Sequence, residues 1–223
     1  MRARDYLDTA LLFSGIITIA ILGLAPTPAC AACSRWPTRA GGGRADVPVT
    51  NSGATAMGRV PGTQVSAAEF RHAMGHFATG VTVITSLDAG GRPVGTTANA
   101  VTSLSLDPPL VLACFDLGSL TLQAIRGHGS FVVNVLAAAQ RHLSANFARQ
   151  GLAAAWDGVR HRHGPTGSPR IEGVLAIMEC TVEHCLPGGD HEIVIGRVRH
   201  IETSADPAAP LVYFRGGYAS LAS

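Results

Sequence analysis

The stretch "VTVITSLDAGGRPVGTTANAVTSLSL", residues 81–106, decides how this chain folds. Residues 81–87 are β-branched and apolar, residues 88–93 (DAGGRP) carry turn chemistry, and residues 94–106 alternate small hydroxyl residues with apolar ones. The pattern predicts a hairpin, with 94–106 as one return strand. Asp107-Pro108-Pro109 is then expected to break the sheet, because neither proline can donate a ladder hydrogen bond. "LVLACF", residues 110–115, resumes it.

Upstream of the hairpin, Ser66-Ala-Ala-Glu69 is a capping box that opens a short helix. Phe70, Met74 and Phe77 recur at helical spacing and are expected to face the core, with Gly80 ending the helix. Downstream, Ser119 to about Ile125 predicts a short helix, "SFVVNVL" (130–136) a strand and "AAAQRHLSANFA" (137–148) a helix. Residues 151–170 read as loop. "GVLAIMECTVEHCL" (173–186), "HEIVIGRVRHIE" (191–202) and "PLVYFRG" (210–216) predict three strands. Strands outnumber helices and the links are short, so the expected class is mainly β with peripheral helices, a small antiparallel barrel with helices packed outside it.

The 223 residues suit one domain with a sizeable core. Net charge is +2, from 17 basic and 15 acidic residues, and the basic residues are scattered rather than striped, which argues against nucleic acid as a partner. All of the basic residues are Arg; there is no Lys. That skew suits translation of GC-rich DNA and excludes Schiff-base chemistry and a Walker lysine. The odd set of cysteines, Cys30, Cys33, Cys114, Cys180 and Cys185, does not read as a disulfide framework. The Cys30-x-x-Cys33 pair has no second ligand pair beside it, and the Cys180, His184, Cys185 group reads as a short strand burying a Cys rather than as a metal site.

Residues 1–60 differ in kind from 61–223. A charged start, an apolar run from Ala10 to Ala25 and a small-residue end ("PTPACAAC") have the form of a secretory signal. The run is short for a membrane span, and the Pro-, Gly- and Arg-rich stretch after it reads as linker. The segment is a signal, an anchor or a start placed upstream of Met57, which stands just ahead of the first well-formed element.

No G-x-G-x-x-G, G-x-S-x-G or H-E-x-x-H occurs. His161 and His163 lack nearby carboxylates and read as solvated loop residues. What remains is a concentration of small hydroxyl and amide residues at 95–105 and 118–121, able to present polar groups to a flat ring or a phosphate without filling its space. The Gly188-Gly189-Asp190-His191 turn places an acid and an imidazole at the mouth of a strand.

In order, G-V-T-V-I-T, T-T-A-N-A, S-x-S-x-D-P-P-L-V, S-x-T, F-V-V-N-V-L-x-x-x-Q, N-F-A, G-D-H and P-L-V-Y-F-R-G-G-Y resemble the flavin reductase family, from about Phe70 to Tyr218. The resemblance implies an FMN-binding split β-barrel and an NAD(P)H-dependent flavin reductase, supplying reduced FMN or FAD to a separate monooxygenase component. It places Thr97, Ala98, Asn99 and Ala100 at the flavin ring, then Cys114, Phe115 and Asp116, with Ser119 and Thr121 near the ribityl phosphate. Arg126 or Arg149 would supply the cationic phosphate contact. His191 would sit over the flavin where the nicotinamide enters, as an orienting residue, and Asp190 would shape the turn. A homodimer and a cytoplasmic location, where the nicotinamide donor is available, are further implications. Two other readings stay open: a split-barrel oxidoreductase that keeps its flavin for another acceptor, and a flavin-binding electron carrier without nicotinamide turnover.

Overall fold

The computed structural model describes residues 65–149 and 153–221. The signal-like segment, Cys30, Cys33 and Met57 lie outside the described residues. Among the described residues, three helices, α1 (Ala67–Met74), α2 (Leu120–His128) and α3 (Arg141–Phe147), accompany twelve strands. Seven of the strands form one antiparallel sheet: β2 (Thr82–Leu87), β3 (Pro93–Ala98), β4 (Val101–Leu106), β5 (Pro109–Asp116), β6 (Ser130–Val135), β9 (Ala176–Gly188) and β10 (His191–Thr203). Their order is β3-β2-β6-β9-β10-β5-β4. A second sheet joins β1 (Thr79–Gly80), β11 (Val212–Phe214) and β12 (Gly217–Ala219), and β7 (His161–His163) pairs with β8 (Pro169–Ile171).

The stretch at 81–106 therefore makes three strands, not two. The expected return strand stops at Ala98, pairing β2 through Thr82↔Ala98 to Leu87↔Pro93, and restarts at Val101 against β5. β3 and β4 are the two outer strands of the sheet, yet only Asn99 and Ala100 separate them. Three peptide links span at most about 11 Å, so the sheet must roll until its edges meet. All seven strands consequently contribute to one enclosed cluster: Ile84, Val111, Phe115, Phe131, Cys180 and Val194, flanked by Ala98 and Val101 from the two edges. No ladder joins β3 to β4, and the barrel is split there.

The period of two sends alternate residues of β2 and β6 into separate cores. Ile84, Phe131 and Val133 point into the barrel with Leu122 and Ile125 of α2. Val83 and Val132 point the other way, against Leu143 and Phe147 of α3. Gly196 of β10 makes the inner packing possible, since a Cβ there would run into the Phe131 ring and the Cys180 Cβ.

Three further expectations change. Asp107-Pro108 forms the tight turn of the β4–β5 hairpin, and Pro109 opens β5 opposite Leu106, a strand-end position that needs no donor. The capping box forms as read, but α1 ends at Met74 with Gly75 as C-cap, and Gly80 lies in β1. Phe70, Met74 and Phe77 are 61%, 50% and 68% exposed, not core residues. α1 is one short helix docked on the β11–β12 hairpin through Arg215 N–H to Gly75 O at 2.7 Å and the His76–Phe214 ring contact. Finally, His161 and His163 sit in β7: His161 is half-buried, edge-on to Trp156, with Nδ1 3.0 Å from the Val159 carbonyl, and His163 Nδ1 lies 2.7 Å from Gly167 O. Pairing of 161–163 with 169–171 orders part of the stretch read as loop.

Candidate functional site

The rolled sheet brings together three segments far apart in sequence. Ala100 O accepts from Cys114 N–H at 3.0 Å, tying the Asn99-Ala100 link to β5. Asp116, the last residue of β5, stands opposite His191, the first of β10, and Leu117 N–H reaches Asp190 O at 3.3 Å. The split in the barrel, the end of β5 and the Gly-Gly-Asp-His turn thus share one rim.

Each part has a local cause. Gly188 pairs with His191 across the hairpin, leaving Gly189-Asp190 as a two-residue loop. Gly189 has φ +74°, the left-handed first position of a type II′ turn, where an L side chain is strained. His191 Nδ1 lies 2.7 Å from Asp190 Oδ1. That hydrogen bond, and secondarily the imidazole's charge, holds the Asp190 carboxyl below the usual carboxylate range. An ionised carboxylate only accepts, so Nδ1 carries the hydrogen of this bond, and Nε2 is the ring nitrogen that Asp190 does not engage.

Asp116 is folded back on its own loop, accepting from Gly118 N–H at 2.7 Å, while Ser119 N–H donates to Asp116 O at 3.0 Å. Ser119 is buried as the N-cap of α2, accepting from Leu122 N–H, and Thr121 is buried beside it. Phe115 points its ring into the barrel core, so only its backbone belongs to the rim. Burial pushes the Cys114 thiol up, making it a small protonated wall rather than a nucleophile.

On β3 the side chains divide by face. Thr97 donates to Ser144 O at 2.7 Å, and Ser144 Oγ accepts from Tyr218 O–H at 2.9 Å. Ala98 packs on the barrel core, and its carbonyl accepts from Thr82 Oγ1 at 2.6 Å. Asn99 and Ala100 are exposed, with Asn99 Nδ2 3.3 Å from Thr79 Oγ1. As edge strands, β3 and β4 each carry backbone groups on one side with no ladder partner, open to the polar edge of a ring. Such unpaired backbone groups, with the exposed Asn99 amide beside them, are the donors and acceptors that the polar edge of an isoalloxazine could take.

Residues 74–222 match the family described as flavin reductase like domain. The chain belongs to the flavin reductase family. The chain is 44% identical over 148 residues to a probable flavin reductase of Rhizobium meliloti (strain 1021), covering 66% of this chain and 47% of that protein. The chain thus spans about half the length of that relative. It is 40% identical over 159 residues to the reductase subunit HsaB of a flavin-dependent monooxygenase of Mycobacterium tuberculosis, covering 71% and 84% respectively. Among solved structures, nitrilotriacetate monooxygenase component B of Mycobacterium thermoresistibile aligns with TM-score 0.66 and 39% identity, over 70% of this chain and 86% of that one. The flavin reductase PheA2 aligns with TM-score 0.64 and 37% identity, over 71% and 100%. The mainly β, split-barrel class is that of these neighbours.

Of the two candidate phosphate arginines, Arg126 is forked to Glu192, with Nε 2.9 Å from Oε1 and Nη2 on Oε2. Arg149 instead lines a cavity of about 520 Å³ that also takes in Gly95 of β3 and Trp156. Sequence reading did not find that cavity. Its walls come from four separated segments, none of which carries a motif.

Proposed function

We propose that the protein is an NAD(P)H:flavin oxidoreductase that binds FMN or FAD at the barrel split and delivers reduced flavin to a separate monooxygenase component. The observation that carries this is the meeting of Asn99-Ala100, the end of β5 and the His191 turn on one rim. Relatives named as the reductase subunit of a flavin-dependent monooxygenase and the reductase component of a 4-nitrophenol monooxygenase support the acceptor.

Thr97, Ala98, Asn99 and Ala100 would hold the ring edge through backbone groups and the Asn99 amide. Cys114, Phe115 and Asp116 form the facing wall, Phe115 by its backbone alone. Ser119 and Thr121 act indirectly, fixing the start of α2, and Arg149 is the arginine placed for a phosphate. When bound, the flavin accepts hydride from the nicotinamide, a reaction that the two cofactors perform once held in contact. The chain supplies placement: Asp190 sets the tautomer and orientation of His191, and His191 Nε2 faces the approaching nicotinamide. Cytoplasmic location, with residues 61–223 as the working domain, suits an intracellular donor. A homodimer is supported by the exposed Phe70, Met74 and Phe77.

The test is NADH oxidation by the purified protein, followed with and without added FMN or FAD. Flavin-dependent turnover is expected. Flavin binding with no NADH consumption would replace the reductase reading with the carrier one.

A further inference from the structure

The barrel is a clamp with one open side. In the order β3-β2-β6-β9-β10-β5-β4 no ladder joins the two outer strands. Strands β3, β2 and β6 therefore make one jaw, β10, β5 and β4 the other, and the β6–β9 ladder joins the jaws on the far side. Backbone hydrogen bonds set the spacing within each jaw, but no ladder spans the gap. Beyond the Asn99-Ala100 link, the width of the gap depends on side chains.

Helix α2 belongs to the first jaw by packing and to the second by charge. It lies against β2, β3 and β6, with Leu122 and Ile125 buried in the barrel core. Arg126 stands about two helical turns after the N-cap Ser119, on the same face of α2. Its guanidinium crosses to β10 and forks on Glu192, Nε 2.9 Å from Oε1 and Nη2 on Oε2.

Glu192 is the chain neighbour of His191, but the pleat sends its side chain to the opposite face, the face that Val194 shares with the barrel core. Its backbone pairs with Phe115, between Cys114 and Asp116 of the proposed ring wall. The carboxylate is also hydrogen-bonded by the Cys185 thiol of β9 and is largely buried. Apolar packing of Leu122 and Ile125 tolerates small slides, because dispersion contacts are individually weak and undirected. A two-point fork between guanidinium and carboxylate does not, since both hydrogen bonds hold at one separation and one relative angle. The pair thus ties the helix that carries Ser119 and Thr121 to the ladder that carries Cys114 and Asp116.

We propose that the Arg126–Glu192 fork is a strut that sets the width of the barrel split, so that both are positioning residues for the flavin and neither touches it. The inference rests on the flavin site proposed above and adds what holds that site at its working opening. It also gives Arg126 a role other than the phosphate contact that the sequence offers, because its guanidinium is engaged by Glu192.

The experiment measures dissociation constants of the full chain for riboflavin and FMN by flavin fluorescence, with a thermal melt of each protein, in the wild type, Arg126→Gln, Glu192→Gln and the double variant. Riboflavin lacks the phosphate, so a strut and a phosphate contact give different patterns. For a strut, Arg126→Gln weakens both ligands by the same factor, roughly tenfold. Glu192→Gln weakens both by roughly threefold, because its amide keeps part of the fork, and the double variant binds no more weakly than Arg126→Gln alone. For a phosphate contact, Arg126→Gln weakens FMN and spares riboflavin, while Glu192→Gln releases Arg126 and tightens FMN; that pattern would overturn the inference. The two roles give Glu192→Gln opposite signs, so this near-isosteric variant decides between them even if Arg126→Gln does not fold. Lower melting temperatures with unchanged affinities would also overturn it, leaving the pair as support for the fold alone and the flavin site standing. A wild type that binds neither flavin would overturn the flavin site and the strut together.

Discussion

His191 and Cys180 show how placement decides what a side chain can do. His191 is tied by Nδ1 to Asp190 and stands at the rim on the β9–β10 hairpin, whereas the proposed ring-edge contacts come from Thr97–Ala100 and the end of β5. His191→Ala is therefore expected to raise the KM for the nicotinamide or lower kcat by about tenfold or more, with the flavin dissociation constant nearly unchanged. Titration of that variant with FMN checks the split, and lost flavin affinity would remove the orienting role. Cys180 is the opposite case. Burial in the barrel core, with the nearby Glu179 charge adding to it, pushes its thiol up to about 12. Only the thiolate reacts, so at pH 8 the native protein should resist alkylation at Cys180 and lose that protection on denaturation, as peptide mass mapping would show.

At the scale of elements, one ion pair joins α2 to the strand that carries His191. Arg126 on α2 grips Glu192 on β10, and this hydrogen bond, ahead of the charge attraction, holds the Glu192 carboxyl below its ordinary value against the opposing effect of burial. The sign follows from linkage. A carboxyl with a lowered folded-state pKa stabilises the fold above its unfolded value, near the ordinary glutamate range, and that contribution disappears as pH falls through the lowered value. Arg126 is 36% exposed, so solvent screening reduces the pair's worth, and Glu192→Gln should cost about 1–2 kcal/mol at pH 7. The cost should shrink toward zero in acid. Denaturant melts of both proteins from pH 7 to pH 3 would show it; an unchanged difference across that range would mean that the pair contributes no charge-dependent stability.

At the scale of the molecule, the described surface keeps a patch that the fold does not cover. Phe70, Met74 and Phe77 on and after α1, joined by Phe214 through His76, face outward, and exposed apolar patches of this kind mark contact surfaces. We expect the protein to sediment as a dimer of its 23.0 kDa chain and Met74→Glu to shift it toward monomer, with NADH oxidation measured alongside. A wild type that sediments as a monomer at micromolar concentration would remove the dimer from the proposal.

Much of this was legible along the chain. Alternation marked the strands of the last third, Ser66 and Glu69 announced α1, and Ser119 announced α2, because capping and pleating depend on near neighbours. The order of short motifs carried the family, since each motif had a place in the sequence even where none was specific alone. Three-dimensional contact decided the rest. Asn99 and Ala100 are weaker strand formers than the Thr and Val residues around them, but two such residues are tolerated within a strand, so the local pattern of 94–106 does not decide between one strand and two; only rolling the sheet separates them and opens the split. The stripe of Phe70, Met74 and Phe77 has the period of a buried helix face, but which surface a period faces depends on what packs against it. Trp156, Arg149, Gln123 and Gly95 become neighbours only after α2 and the 3₁₀ turn Ala153–Trp156 settle on β3, because a cavity is a property of distances that sequence spacing does not encode.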